Sequence, residues 1–122
     1  MSKKVSLIKG WGREVIWASN YLYCGKFLEF SKNGKSNMHF HANKSESWYI
    51  KSGEFEVSII DTTTSKMTTI TMNVGDTLDL PPLTPHQVRC VEEGVIIEVS
   101  TYDDPKDNYR VMPGDSQNEV HN

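Results

Sequence analysis

Two histidines one residue apart, His39 and His41 in "MHFHANKSE", followed five positions later by Glu46, are the densest concentration of metal-ligating chemistry in this chain. In a strand alternate side chains share a face, so His39 and His41 point together while Met38 and Phe40 point the other way. If Glu46 opens the next antiparallel strand, it returns across a short loop to the same face, which Trp48 and Ile50 extend. Imidazole nitrogen with carboxylate oxygen suits Zn, Mn, Fe, Ni or Co rather than calcium, and a fourth ligand would complete a site with positions open to a substrate. The triplet on its own has a plainer and commoner reading, a barrel strand that carries two exposed or hydrogen-bonded histidines.

The elements around these residues must decide whether they converge. Apolar residues come in short runs rich in Val, Ile, Phe and Tyr, broken by Gly, Asn, Asp and Pro, and no stretch holds a helical period for three turns. This pattern predicts an all-β sandwich or barrel with strands over 5–9, 13–18, 21–31, 36–42, 46–51, 54–61, 66–72, 77–80, 86–92 and 94–101. "KNGKSN", "KSG", "DTTTSK" and "NVGD" supply turn chemistry. "PPLTP" lacks the donors of a central strand and reads as a rigid entry to the strand that begins at His86. The organisation expected is one domain: an N-terminal edge strand within 1–12, a barrel over 13–104 and a polar tail over 105–122 that drapes over the body or frays.

At 122 residues the chain can bury one core without staples. Thirteen basic against sixteen acidic residues give a formal charge of −3 with no dense Lys/Arg cluster, which argues against nucleic acid as a partner. The start "MSKKVSLIKGWG" has no apolar stretch long enough for an export signal or a membrane span, so the expectation is a cytoplasmic protein without a membrane partner. Cys24 and Cys90 are too few for a disulfide framework and read as small buried thiols.

A second block bears on the opening triplet. Six residues separate Glu46 from Gly53, and "GDTLDLPPLTPH" runs from Gly75 through five residues to Pro81 and on to His86. The two blocks resemble the paired motifs of the cupin superfamily, G-x5-H-x-H-x3-4-E-x6-G and G-x5-P-x-G-x2-H-x3-N. The resemblance implies a jelly-roll β-barrel in which His39, His41, Glu46 and His86 bind one divalent metal ion. The chain departs from the pattern at three points: four residues rather than five separate Gly34 from His39, Leu83 replaces the second motif's second glycine, and Cys90 replaces its final asparagine. "GWGREVIW", "YCGKFLEF", "MHFHANKSESWYIKSGEFEV", "GDTLDLPPLTPHQV" and "VIIEVST" followed by "YR" are further similar to the cupin portion of type II mannose-6-phosphate isomerases. That likeness implies Lewis-acid chemistry on a sugar phosphate or a nucleotide-sugar-related compound. In the isomerase pattern a glutamine stands where this chain has His39, and a set of three His and one Glu is also that of metal-dependent cupin dioxygenases.

An isomerase of this kind needs a base beside the metal. Glu98, within "VIIEVST", is the candidate, because burial in an apolar strand would raise its pKa toward a working range. Alternation groups Glu98 with Ile96 and Ser100 and leaves open which face is inside. Trp48 shares the parity of the ligands and could line a substrate pocket, and Arg110 could bind a phosphate. His121 is assigned no ligand role. A non-catalytic barrel that binds a sugar or another small molecule remains a separate expectation. A homodimer is expected because Met38 and Phe40 face away from the metal and "KKVSLIKGWG" offers an edge for pairing, the alternative being that the tail covers these two side chains.

Overall fold

The structure is a computed structural model, and it describes residues 4–115. The first three residues of the expected edge segment, and 116–122 of the expected tail with His121, lie outside the described residues. Nine strands form: β1 (Val5–Lys9), β2 (Gly12–Ser19), β3 (Tyr23–Phe30), β4 (Met38–Phe40), β5 (Glu46–Asp61), β6 (Lys66–Met72), β7 (Thr77–Leu80), β8 (His86–Thr101) and β9 (Tyr109–Met112). All their pairings are antiparallel, and no α-helix occurs among the described residues. Consequently no helix there is long and apolar enough to cross a membrane.

The architecture hangs on two long strands. β5 and β8 pair along nearly their whole length, from Glu46↔Ser100 to Ile59↔His86. One half of this ladder carries β3, β2 and β1 beyond β8 and β7 beyond β5; the other carries β6 beyond β5 and β4 with β9 beyond β8. The all-β jelly roll expected from the sequence is the fold observed. Four expected strands, however, are two. "KSG" does not reverse the chain: the register of β5 slips between Ile50 and Phe55, with Gly53 at a φ of +82°, and the strand continues. Opposite this bulge a side chain on Gly94 would meet the Ser52 carbonyl oxygen at 2.1 Å, so only glycine lets the two strands cross so closely. The bulge also changes the parity of β5, so that Glu46, Trp48 and Ile50 face inward before it and Phe55 and Val57 after it.

A further strand, β9, forms within the expected polar tail and lies along β4. Its partners explain why so polar a segment orders: Met38 is fully buried opposite Met112, and Phe40 stacks on Tyr109 with ring centroids 5.1 Å apart. At the other end of the chain, the Asn20 carboxamide accepts the N–H groups of Leu22 and Tyr23, which delays β3 to Tyr23. The core joins Trp11, stacked on Phe30 at 4.2 Å, with Phe55, Ile50, Val57, Leu80, Val88, Cys90 and Ile96. Both cysteines are free and buried. Trp11, Leu28, Phe30, Trp48 and Val88 form the floor between this core and a cavity of about 510 Å³.

Candidate metal centre

His39, His41 and His86 meet on the cavity wall, where one ligand atom from each lies within 4.8 Å of the others. His39 is on β4 directly across from His86, the first residue of β8, and His41 follows one residue past the end of β4. Their tautomers are fixed by the backbone. Nδ1 of His39 is 3.0 Å from the Asn37 carbonyl oxygen, Nδ1 of His41 is 2.6 Å from that of Asp107, and Nδ1 of His86 is 2.8 Å from that of Thr84. A carbonyl only accepts, so each Nδ1 carries the proton and each Nε2 keeps its lone pair for an external partner. Burial pushes the His86 imidazole down to about 4, despite the Thr84 carbonyl, which favours the charged form. Burial likewise holds His39 well below the ordinary histidine value and lowers His41. The rings therefore stay neutral, as ligands must.

Glu46, the first residue of β5, points into the same space. Its Oε2 is 3.4 Å from His41 Nε2 and its Oε1 is 3.9 Å from His86 Nε2. The Trp48 indole N–H donates to Oε1 at 2.7 Å and so fixes the carboxylate's orientation. Two buried atoms have no hydrogen-bond partner among the described residues, Glu46 Oε2 and His86 Nε2. Leaving such an atom dry costs about 1–3 kcal/mol. A cation bound between them would relieve both, and the donor set of three imidazoles and one carboxylate fits a divalent transition ion.

Behind the ligands lies a charge network that spacing alone did not reveal. Lys44 is buried, with its ammonium 3.3 Å from Glu98, 3.3 Å from Asp103 and 3.6 Å from Glu46 Oε2. Burial works to discharge it, but the carboxyls of Glu98 and Glu46 outweigh that and raise its pKa. Lys26, also buried, pairs with Glu14 at 2.7 Å and with Asp103, and these acids with Glu98 hold it charged against the cost of burial. Glu98 itself is pushed up, first by burial and then by Glu46, with the two lysines opposing. Five carboxyls, those of Glu14, Glu46, Glu98, Asp103 and Asp104, line the cavity together with four cationic side chains, Lys9, Lys26, Lys44 and Arg110, so the wall is close to charge balance.

Each residue expected from the sequence has a definite place. Ile96, Glu98 and Ser100 are on the inner face of β8, so Glu98 lines the cavity. Trp48 lines it too, edge-on to His86 at 5.4 Å between centroids. Arg110 of β9 sits across from His39 on the cavity wall, exposed, and among the described residues its guanidinium has no ion-pair partner. Of the two placements expected for Met38 and Phe40, the structure shows the one under the tail: β9 pairs with β4, Met38 is fully buried and the half-buried Phe40 stacks on Tyr109. Leu83 adopts a φ of +65°, the conformation a glycine supplies without strain, and its N–H donates to the His41 carbonyl oxygen at 2.7 Å.

Glu14, Lys26, Lys44, Asp103 and Asp107 are site residues that sequence reasoning missed. Lys44 stands two residues before Glu46, a signal that was open to reading; Asp107, 66 residues from His41, gave none. Its carboxylate accepts the consecutive N–H groups of Ala42 at 2.7 Å and of Asn43 and Lys44 at 3.0 Å each. Burial works against that charge, yet these three donors keep the Asp107 carboxyl below its ordinary value.

With this geometry in place, comparison with known proteins is informative. The family model described as "Cupin domain" matches residues 26–102. No curated protein is matched by sequence. Among solved structures, oxalate decarboxylase from Bacillus subtilis superposes with a TM-score of 0.77 at 15% identity over 89% of this chain and 30% of that one. KdgF from Halomonas sp. gives 0.67 at 17% identity, covering 77% of this chain and 81% of that one. An RmlC-like cupin from Shewanella frigidimarina gives 0.71 at 20% identity over 85% and 88% of the respective chains. This chain thus spans about a third of the oxalate decarboxylase, and at these identities the likeness speaks for the fold.

Proposed function

The chain belongs to the cupin domain family, and on that premise we propose that it holds one divalent transition-metal ion on His39, His41, Glu46 and His86 and uses it on a small polar substrate. The observation that carries this reading is the pair of buried atoms without a hydrogen-bond partner, Glu46 Oε2 and His86 Nε2, beside three imidazoles whose Nδ1 atoms are already engaged. The metal identity is left among Zn, Mn, Fe, Ni and Co. When bound, the ion would supply Lewis-acid polarisation of a substrate oxygen.

The proposed reaction is isomerase-like, on a sugar phosphate or a nucleotide-sugar-related compound. Glu98 is the proposed base: it lines the cavity and its raised pKa suits removal of a carbon-bound proton. Lys44, hydrogen-bonded to Glu98 at 3.3 Å, orients that carboxyl and offsets negative charge as it develops. Arg110 anchors an anionic end of the substrate at the cavity wall, while Trp48 shapes the floor. Ile16 and Leu28 form an apolar wall that limits water. The proposed assembly is a homodimer through β1, an edge strand whose Val5, Leu7 and Ile8 are exposed.

The test is metal analysis of the purified protein, followed by a screen of phosphorylated sugars with and without oxygen. Oxygen-independent turnover that is lost in Glu98→Gln supports the proposal; no conversion by the metal-loaded protein overturns the substrate class. The third histidine favours one second reading, a metal-dependent dioxygenase, for which turnover would require oxygen.

A further inference from the structure

Within the segment between β8 and β9, Asp107 grips the backbone of the loop that follows His41, and this contact has two parts. The Asp107 carboxylate accepts three successive backbone N–H groups, from Ala42, Asn43 and Lys44, at 2.7, 3.0 and 3.0 Å. The Asp107 carbonyl oxygen accepts the Nδ1–H of His41 at 2.6 Å. The loop so gripped joins His41 to Glu46 and carries Lys44 into the charge network. A loop of four residues between two site residues has no regular hydrogen bonding of its own, and three bonds to one buried carboxylate replace what a strand ladder would supply.

We infer that Asp107 is a positioning residue for the metal centre, setting the tautomer of His41 and the span from His41 to Glu46, an inference that rests on the metal-binding reading above. The side-chain bonds hold the backbone of residue 107 in place, and the backbone in turn holds the imidazole. Loss of the carboxylate therefore reaches His41 although no atom bonded to His41 is removed. Partners of this kind are worth about 10- to 100-fold in metal affinity.

The experiment compares the wild-type protein with Asp107→Ala, Asp107→Asn and Asp115→Ala. Asp115 ties the same end of the chain down by exchanging bonds with the Lys35 backbone at 2.8 and 2.6 Å, but it does not touch the ligand loop. Nitrogen-15 NMR of the metal-free proteins reads the histidine tautomers, and cobalt(II) titration reads affinity and the visible spectrum of the bound ion. Expected in Asp107→Ala is a His41 ring that exchanges between tautomers while His39 and His86 keep Nδ1–H, together with cobalt binding weakened about 10- to 100-fold. Asp107→Asn, which retains one acceptor oxygen and serves if the alanine variant does not fold, should fall between, and Asp115→Ala should change neither readout. A His41 ring still locked as Nδ1–H in both Asp107 variants, or the same response in Asp115→Ala, overturns the inference. Failure of the wild-type protein to bind cobalt overturns the metal-binding reading instead, and the tautomer measurement then still decides whether Asp107 positions His41.

Discussion

Acid should destabilise the metal-free protein through His86, and the size of the effect follows from its burial. The imidazole is held down to about 4 in the fold, against an ordinary 6.5. Between those values the unfolded chain binds a proton that the folded protein refuses, so stability rises with pH and is lost as pH falls from about 6.5 toward 4. At about 1.36 kcal/mol per pH unit this one residue accounts for a loss of about 3 kcal/mol, a large part of the 5–15 kcal/mol typical of a domain. His39 and His41, lowered by the same burial, act in the same direction. Glu98 acts in the opposite one: its pKa is raised, so the fold binds its proton more readily and regains stability as pH falls through that raised value. The assay is urea unfolding of chelator-treated protein at half-unit steps from pH 7 to 4, for the wild type and for His86→Gln. The variant, with no imidazole to protonate, should show a shallower decline by about 3 kcal/mol across the window. Parallel declines in the two proteins would refute the reasoning, because they would mean that His86 takes up its proton in the folded state as easily as in the unfolded chain.

Three further outcomes are expected. His41→Ala and Glu46→Gln should each lose most of the bound metal while circular dichroism stays that of the folded barrel, because the core at Phe55, Ile50 and Ile96 does not depend on them; full metal retention by either variant would count against its role as a ligand. His39→Gln at equal metal occupancy should keep turnover within about tenfold, roughly 1.4 kcal/mol of barrier, if the chemistry is Lewis-acid, and lose far more if it needs oxygen; steady-state rates with and without oxygen separate the cases. Leu83→Gly should be neutral or stabilise by up to about 1 kcal/mol, since it relieves an L side chain at a φ of +65° that is exposed and packs on little; Leu83→Ala, which keeps the strained Cβ, should not, and chemical denaturation of both variants checks this.

The sequence by itself determined that the chain is all-β, because the period of two and the turn residues are local properties that each short stretch carries whole. It also brought His39, His41, Glu46 and His86 into view as one group, since strand parity and a paired-block resemblance need only spacing. Tertiary structure decided what spacing does not encode. Whether "KSG" turns or merely bulges depends on Gly94 lying opposite it, 41 residues further along, where the two backbones nearly touch. Which face of "VIIEVST" is inside depended on β3 and β5 flanking it, and that placed Glu98 beside Lys44. That the polar stretch after Pro105 could drape over the body was legible in the sequence, but the strand it forms and the place it docks were not, because the partners that order it, Met38 for Met112, Phe40 for Tyr109 and the 42–44 backbone for Asp107, lie more than sixty residues away. Burial, finally, is a property of the assembled sheet alone, and it is burial that keeps the three imidazoles neutral and leaves Glu46 Oε2 and His86 Nε2 without a hydrogen-bond partner.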